Sequence, residues 1–264
     1  MLELTDISKV FFPHTVNERR ALDGVSVRLA SGDFATVIGS NGAGKSTLLN
    51  VVAGRYTPEK GTVAIDDHDV TAMAEHRRAA MVSRVFQDPM AGTAPHLTIE
   101  ENLAIAYQRG RSHGLGRGIT RAKREFFRTE LTTLELGLEN RLGAKVGMLS
   151  GGQRQALSLL MATFVEPRVL LLDEHTAALD PTRSALISRL TAEAVERHRL
   201  TTLMVTHNMQ QALDLGNRLL VMHEGNIVLE VDAAAKQAMT ADQLLDQFRR
   251  ATGGEVSDRT LLTE

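Results

Sequence analysis

An α/β fold with a mostly parallel core sheet, an N-terminal antiparallel β subdomain and an inserted helical subdomain is predicted by three observations. A short apolar, β-branched run, Phe34-Ala35-Thr36-Val37-Ile38, leads straight into a glycine-rich loop and a helical segment. Later apolar runs are separated by helical stretches, the pattern of a parallel sheet covered on both faces. Residues 98–164, in between, have mostly helical spacing and little β-branching.

Taken in order, Leu2, Leu4 and Ile7 predict one strand and Val25, Val27 and Leu29 a second, with a polar turn over Pro13 to Arg20. Phe34 to Ile38 is a buried strand, and the segment from Ser46 to Ala53 a helix. Thr62-Val63-Ala64-Ile65 and Met81 to Phe86 are two further strands. From about Gln87 the helical insertion begins, over about 88–164, with its last helix from Gln153 to Phe164. Strands return at Val169 to Leu172, Thr202 to Val205 and Arg218 to Met222, and Glu224-Gly225-Asn226 turns between two closing strands. One domain over 1–232 is expected, then a short tail over 233–264, helical to about Arg250 and loose beyond it.

Hydrophobic residues make up 43% and charged residues 23% of the 264, enough apolar surface for a folded core. The net charge of −2 gives no overall pull toward nucleic acid or an anionic membrane. Cysteine is absent, which removes disulfide and thiol chemistry. The first residues contain no basic region followed by an apolar stretch, so no secretory signal is expected, and no apolar run approaches the ~18 residues that span a bilayer.

Gly39-Ser40-Asn41-Gly42-Ala43-Gly44-Lys45-Ser46 fits G-x-x-x-x-G-K-[ST], with Thr47 following. The glycines let backbone N–H groups wrap phosphates, Lys45 reaches the β- and γ-phosphates, and the Ser46 hydroxyl ligates Mg²⁺. A strand before the loop and a helix after it make this the core of a P-loop NTPase. Leu149-Ser150-Gly151-Gly152-Gln153-Arg154 sets a hydroxyl and N–H groups at a positive helix end, a second anion site. The strand Val169 to Leu172 ends in Asp173 and Glu174. Carboxylates at a strand end are often merely solvated; beside a P-loop, Asp173 is expected to hold Mg²⁺ through water and Glu174 to polarise the attacking water. Gln87 follows a strand end within reach of Mg²⁺ or that water. His207 also follows a core strand, placed to contact the γ-phosphate and orient the water. None of the nine histidines has metal-ligand spacing. The seven Lys and Arg residues between Arg109 and Arg128 read as a solvated face rather than a contact surface, because no aromatic residues alternate with them.

Together these motifs resemble the nucleotide-binding subunit of an ABC transporter, over roughly residues 2–231. The resemblance makes Gly39 to Thr47 the P-loop, Gln87 the Q-loop glutamine, Leu149 to Gln153 the signature, Asp173-Glu174 the end of Walker B, Ala178-Leu179-Asp180 the D-loop and His207 the switch histidine. It assigns adenine stacking to Phe11, with Phe12 beside it as the alternative ring. It implies two copies head to tail, with each ATP held between the P-loop of one and Ser150, Gly151, Gly152 and Gln153 of the other, and Asp180 at the dimer seam. ATP and Mg²⁺ are the implied cofactors. The implied partners are a second copy or a similar ATPase subunit, integral membrane permease subunits docking around Asp88 to Thr98, and a solute-binding protein, with no nucleic acid. The implied location is peripheral, at the cytoplasmic face of the inner or plasma membrane.

One departure is His175, where the family usually has proline after Asp-Glu. Histidine keeps the backbone N–H that proline lacks, and either adds a contact near the dimer seam or is simply tolerated. With Thr206 to Ala212 and Leu215 to Arg218, it resembles a bacterial subgroup of importer ATPases for tryptophan/tyrosine-type or related solutes. Three rival readings stand beside import. An exporter of lipoproteins or peptides shares every catalytic motif. A repair ATPase needs a long coiled-coil insertion, yet Lys45 and Leu149 stand 104 positions apart without heptads, and a translation ATPase carries two such domains in one chain. A sensor without turnover is disfavoured by intact Glu174 and His207.

Overall fold

The computed structural model describes residues 1–111 and 118–252. In chain order its elements are β1 (Leu2–Phe11), β2 (Arg19–Leu29), β3 (Phe34–Gly39), α1 (Lys45–Ala53), β4 (Lys60–Ile65), β5 (His68–Asp69), α2 (Glu75–Arg78) and β6 (Val82–Val85). There follow α3 (Ile99–Tyr107), α4 (Arg121–Thr132), α5 (Gly151–Thr163), β7 (Val169–Asp173), α6 (Pro181–His198), β8 (Thr201–Val205) and α7 (Met209–Asp214). The last elements are β9 (Arg218–His223), β10 (Asn226–Val231), α8 (Ala233–Gln237) and α9 (Ala241–Ala251).

Two sheets form. The N-terminal one is antiparallel in the order β2-β1-β4-β5, and the core sheet runs β10-β9-β3-β8-β7-β6, parallel except for β10. In β1 the apolar spacing is two residues from Leu2 to Leu4 but three to Ile7, which strict alternation would turn outward. The register shifts between Leu4 and Ile7, and Asp6 takes φ 53° there, so all three side chains stay buried.

Alternation along the core strands feeds two packed layers. Leu170, Leu172 and Met204 face α3, α4, α5 and α6, while Val169, Leu171, Leu203 and Val205 face α1 and the antiparallel sheet. Each such buried aliphatic side chain contributes about 1.5–3 kcal/mol of hydrophobic stabilisation. The helical insertion has no core of its own: Phe127, Leu131 and Leu138 share one cluster with Val85, Leu170 and Leu172 of the sheet.

The helix expected from Gln153 starts two residues earlier, because Ser150 caps it. The tail forms two helices rather than one, restarting at Thr240, which accepts from the Gln243 N–H and receives the Gln243 side chain in return. Leu244 and Phe248 of α9 pack on Ile38, Leu219 and Val221, covering the end of the sheet nearest β10. The expected loose end of the tail and residues 112–117 of the basic stretch lie outside the described residues. Within the described part of that stretch, Arg109 donates to Ser83 Oγ at 2.6 Å, the Arg111 guanidinium stacks on Tyr107 at 3.9 Å, and Arg124 pairs with Glu100. No described helix is long and apolar enough to cross a membrane.

Candidate functional site

Strands β3, β8, β7 and β6 are parallel neighbours, so their C-terminal ends open on one edge of the sheet. That edge carries Gly39, His207, the Asp173-Glu174 pair and Gln87, each at or just beyond the end of its strand.

The loop from Gly39 to Gly44 is shaped by close backbone approach. A Cβ on Gly39 (φ 154°) would lie 2.1 Å from the Met222 carbonyl oxygen, and one on Gly44 (φ 101°) 2.4 Å from that of Ala21. The loop is thereby wedged between β2 and the turn joining β9 to β10, and the Gly225 N–H donates to the Ala43 carbonyl at 3.0 Å. Gly44 precedes α1 and no side chain caps that helix, so its first-turn N–H groups have no side-chain acceptor. Ser40, Asn41, Gly42 and Ala43 line the loop, and Ser46 and Thr47 open the helix.

Lys45 is buried, and its Nζ donates to the Gly39 and Ser40 carbonyls at 2.6 and 3.0 Å. Burial lowers its pKa, while Glu174 and Asp173 push it back up. These three groups therefore share one electrostatic site, although they belong to elements far apart in sequence.

Asp173 pairs with Arg84 at 2.5 Å. Glu174 pairs with His207 through its Nε2. Glu174 sits at φ 46°, a left-handed conformation that costs a non-glycine residue about 1–2 kcal/mol. Its N–H bonds the Val205 carbonyl at 2.9 Å and its carbonyl accepts from the Ala177 N–H at 3.0 Å, which holds the strained residue in place. Behind the pair, Gln211 Nε2 donates to Thr176 Oγ1 at 3.0 Å and to Ser188 Oγ at 2.9 Å, and Thr206 Oγ1 donates to Gln211 Oε1 at 2.7 Å. This ties the segment after Glu174 to the segment before His207.

Gln87 is exposed, and among the described residues no hydrogen bond joins it to Asp173 or Glu174. Just before it, the Phe86 carbonyl accepts from Gln155 Nε2 at 3.2 Å, linking that strand end to α5. Gly92, farther along the same loop, packs on α5 so closely that a Cβ would lie 2.7 Å from Ser158 Oγ.

At the start of α5 the second predicted anion site is partly self-satisfied, because a capping box accounts for the Ser150 and Gln153 N–H groups and not for those of Gly151 and Gly152. Ser150 Oγ accepts from the Gln153 N–H at 3.3 Å, and Gln153 Oε1 accepts from the Ser150 N–H at 3.1 Å. Gly151 is exposed, and Gly152 is backed by the Arg183 side chain. Arg183 pairs with Asp180 at 3.2 Å, and Asp180 caps α6 by accepting from the Arg183 N–H. Arg154 gathers the carbonyls of Val146, Gly147 and Leu149, fixing the chain that enters the helix. Among the described residues, no hydrogen bond or ion pair joins 149–154 to 39–47 within one chain.

Phe11 ends β1 with its ring edge-to-face on Tyr56, 5.2 Å between centroids. It lies opposite Arg19 in the ladder, and Arg19 donates to the Gly42 carbonyl, so Phe11 borders the loop. Phe12 is 67% exposed. His175 is buried, away from any surface seam, with Nε2 2.9 Å from Thr191 Oγ1. That hydroxyl donates its one proton to the Ile187 carbonyl, so His175 Nε2 carries a hydrogen and donates. Burial pushes the imidazole down to about 4, keeping it neutral.

Sequence reasoning missed Arg84 and Gln211. Arg84 belongs to no motif, and Gln211 lies within the Thr206 to Ala212 segment without a role assigned to it; Asp173 and Thr176, which they bond, lie 89 and 35 residues away. A lone arginine inside an apolar strand, next to a strand ending in carboxylates, is the one signal that was present for Arg84.

The family model described as ABC transporter matches residues 22–177. The chain is 42% identical over 252 residues to the tyrosine transport ATP-binding protein of Clostridioides difficile (strain R20291), covering 95% of this chain and 100% of that one. It is 33% identical to the thiamine import ATP-binding protein ThiQ of Escherichia coli (strain K12), over 86% of this chain and 90% of that one. Among solved structures, it resembles the dimeric post-hydrolysis ATP-binding cassette MJ0796 bound to ADP and Pi, with a TM-score of 0.75 and 26% identity over 88% of this chain and 99% of that one.

Proposed function

We propose that this chain, which belongs to the ABC transporter family, hydrolyses ATP as the ATP-binding subunit of a bacterial importer of amino acids or related small solutes. The observation that carries the proposal is the Glu174–His207 pair, set on adjacent strand ends beside a lysine-bearing phosphate loop. The full-length similarity to a tyrosine transport ATP-binding protein supports the solute class, and the similarity to a thiamine import ATP-binding protein supports import.

In this reading the uncapped N–H groups of α1 and the loop backbone bind the phosphates, and Lys45 exchanges its two loop carbonyls for phosphate oxygens. Phe11, or Phe12 beside it, stacks on the adenine. His207 orients the Glu174 carboxylate, which accepts a proton as water attacks the γ-phosphorus and ADP departs with the bridging oxygen.

The residues fit Mg²⁺. The Ser46 hydroxyl, the Gln87 amide oxygen and the Asp173 carboxylate are hard oxygen donors with only one charge among them, suited to an ion that is shared with phosphates. Among the described residues, no cluster of three His, Cys, Asp or Glu offers a self-sufficient metal site. When bound, the ion neutralises developing charge on the phosphates.

Two copies close head to tail, Ser150, Gly151, Gly152 and Gln153 of one facing the nucleotide of the other, with Asp180 at the seam. Closure and reopening drive permease subunits that dock on the loop around Asp88 to Thr98, at the cytoplasmic face of the membrane. The test is affinity purification of the tagged chain from its native membranes, with the co-purifying proteins identified by mass spectrometry. A polytopic permease together with a solute-binding protein is expected. A permease recovered without any solute-binding protein overturns import in favour of export.

A further inference from the structure

We propose that Arg84 is a resident counter-cation of Asp173 and sets how tightly this chain takes up a divalent ion with its nucleotide. The proposal rests on the reading of Asp173 as the metal-side carboxylate, and adds a residue that lies in none of the motifs.

Arg84 stands on β6, three residues before Gln87. Its two terminal nitrogens diverge, Nη2 to Asp173 Oδ2 at 2.5 Å and Nη1 to Asn50 Oδ1 on α1 at 2.7 Å. The guanidinium lies over the Phe86 ring, 4.9 Å from its centre. Nε is buried without a hydrogen-bond partner, so the side chain is held for its terminal fork. The Arg84 and Asp173 side chains are only 12% and 16% exposed, so little water screens the pair.

An arginine cannot shed its charge, and its planar fork has a fixed direction. It therefore occupies one oxygen of Asp173 permanently, and repels any second cation brought to the same carboxylate. Glu174, the neighbouring carboxylate, is paired with His207, which leaves Asp173 as the group an arriving dication must share with Arg84. A merely structural role for Arg84, stapling β6 to α1 and β7, would show in stability and leave metal affinity alone.

The experiment titrates Mn²⁺, followed by electron paramagnetic resonance, into wild type, Arg84→Gln, Arg84→Lys and Asp173→Asn, each saturated with a non-hydrolysable ATP analogue. Arg84→Gln is expected to tighten Mn²⁺ binding by about tenfold, the effect of removing one poorly screened positive charge. Arg84→Lys keeps the charge but cannot bridge Asn50 and Asp173, and is expected to tighten it by about twofold. Should Arg84→Gln fail to fold, Arg84→Lys decides. Unchanged or weakened Mn²⁺ binding in the folded Arg84 variants overturns the counter-cation. Unchanged binding in Asp173→Asn overturns instead the underlying reading of Asp173, so the two failures are told apart.

Discussion

His175 makes the protein acid-sensitive in a way that can be worked out from its surroundings. Its imidazole is buried, donates to Thr191 Oγ1 and has its pKa pushed from 6.5 down to about 4. The unfolded chain therefore takes up a proton that the folded chain refuses. The contribution to stability is full above pH 6.5 and is lost as pH falls toward 4. At 1.36 kcal/mol per pH unit, the complete loss is about 3 kcal/mol. Between pH 7.5 and 5.5 the same linkage gives about 1.3 kcal/mol. With a urea slope of about 3 kcal/mol/M, that is a midpoint shift of about 0.4 M. Other groups titrate over the same range, so the measurement is a difference: urea unfolding of wild type and His175→Gln at both pH values. Glutamine retains a donor for Thr191 and does not titrate. The wild type should lose about 1.3 kcal/mol more than the variant over this interval. Equal losses would refute the claim that His175 is held neutral by burial.

Four further outcomes are expected. Glu174→Gln should lower ATP turnover by about 10²-fold or more and accumulate an ATP-bound dimer; a variant that stays monomeric with ATP, by light scattering, sinks the two-copy reading. Lys45→Ala should abolish nucleotide binding measured calorimetrically, and full retained affinity would remove the lysine from the phosphate site. Gly39→Ala drives a Cβ to 2.1 Å from the Met222 carbonyl, so it should lower the melting temperature even without nucleotide. Arg78 is almost fully buried and donates to the carbonyls of Val51 and Val52 at the end of α1 and of Thr71 and Met73 in the loop between β5 and α2. Arg78→Lys cannot reach all of them, and should cost about 2–3 kcal/mol in denaturant unfolding; a change within 0.5 kcal/mol would contradict that.

Much of the core sheet was legible in sequence because its strands are buried on both faces and read as unbroken apolar runs, as Val169 to Leu172 does. The bulge at Asp6 was latent in the uneven spacing of Leu4 and Ile7. The P-loop was legible because its glycines, lysine and serine form one contiguous run between a strand and a helix, although the backbones that demand those glycines, at Ala21 and Met222, are remote in sequence. What stayed hidden depends on residues meeting across the fold. Nothing next to His175 announces that Thr191, one helix later, will receive its proton. The pairing of Arg84 with Asp173 arises only because β6 and β7 become neighbours in the sheet. The tail broke into two helices because Thr240 and Gln243 cap each other, a signal present in the sequence but weaker than the helical composition around it.

The two helix ends that carry the predicted anion sites are prepared differently. The N-terminus of α1 has no side-chain cap after its glycine, whereas at α5 Ser150 and Gln153 bond one another and leave only the Gly151 and Gly152 N–H groups uncapped. The reciprocal bonds fix the Ser150 hydroxyl and the Gln153 amide before anything meets that turn. On the proposed head-to-tail reading, a nucleotide held by a facing copy would meet a turn already ordered at α5, so closure would have less conformational freedom to remove there than at a loose loop.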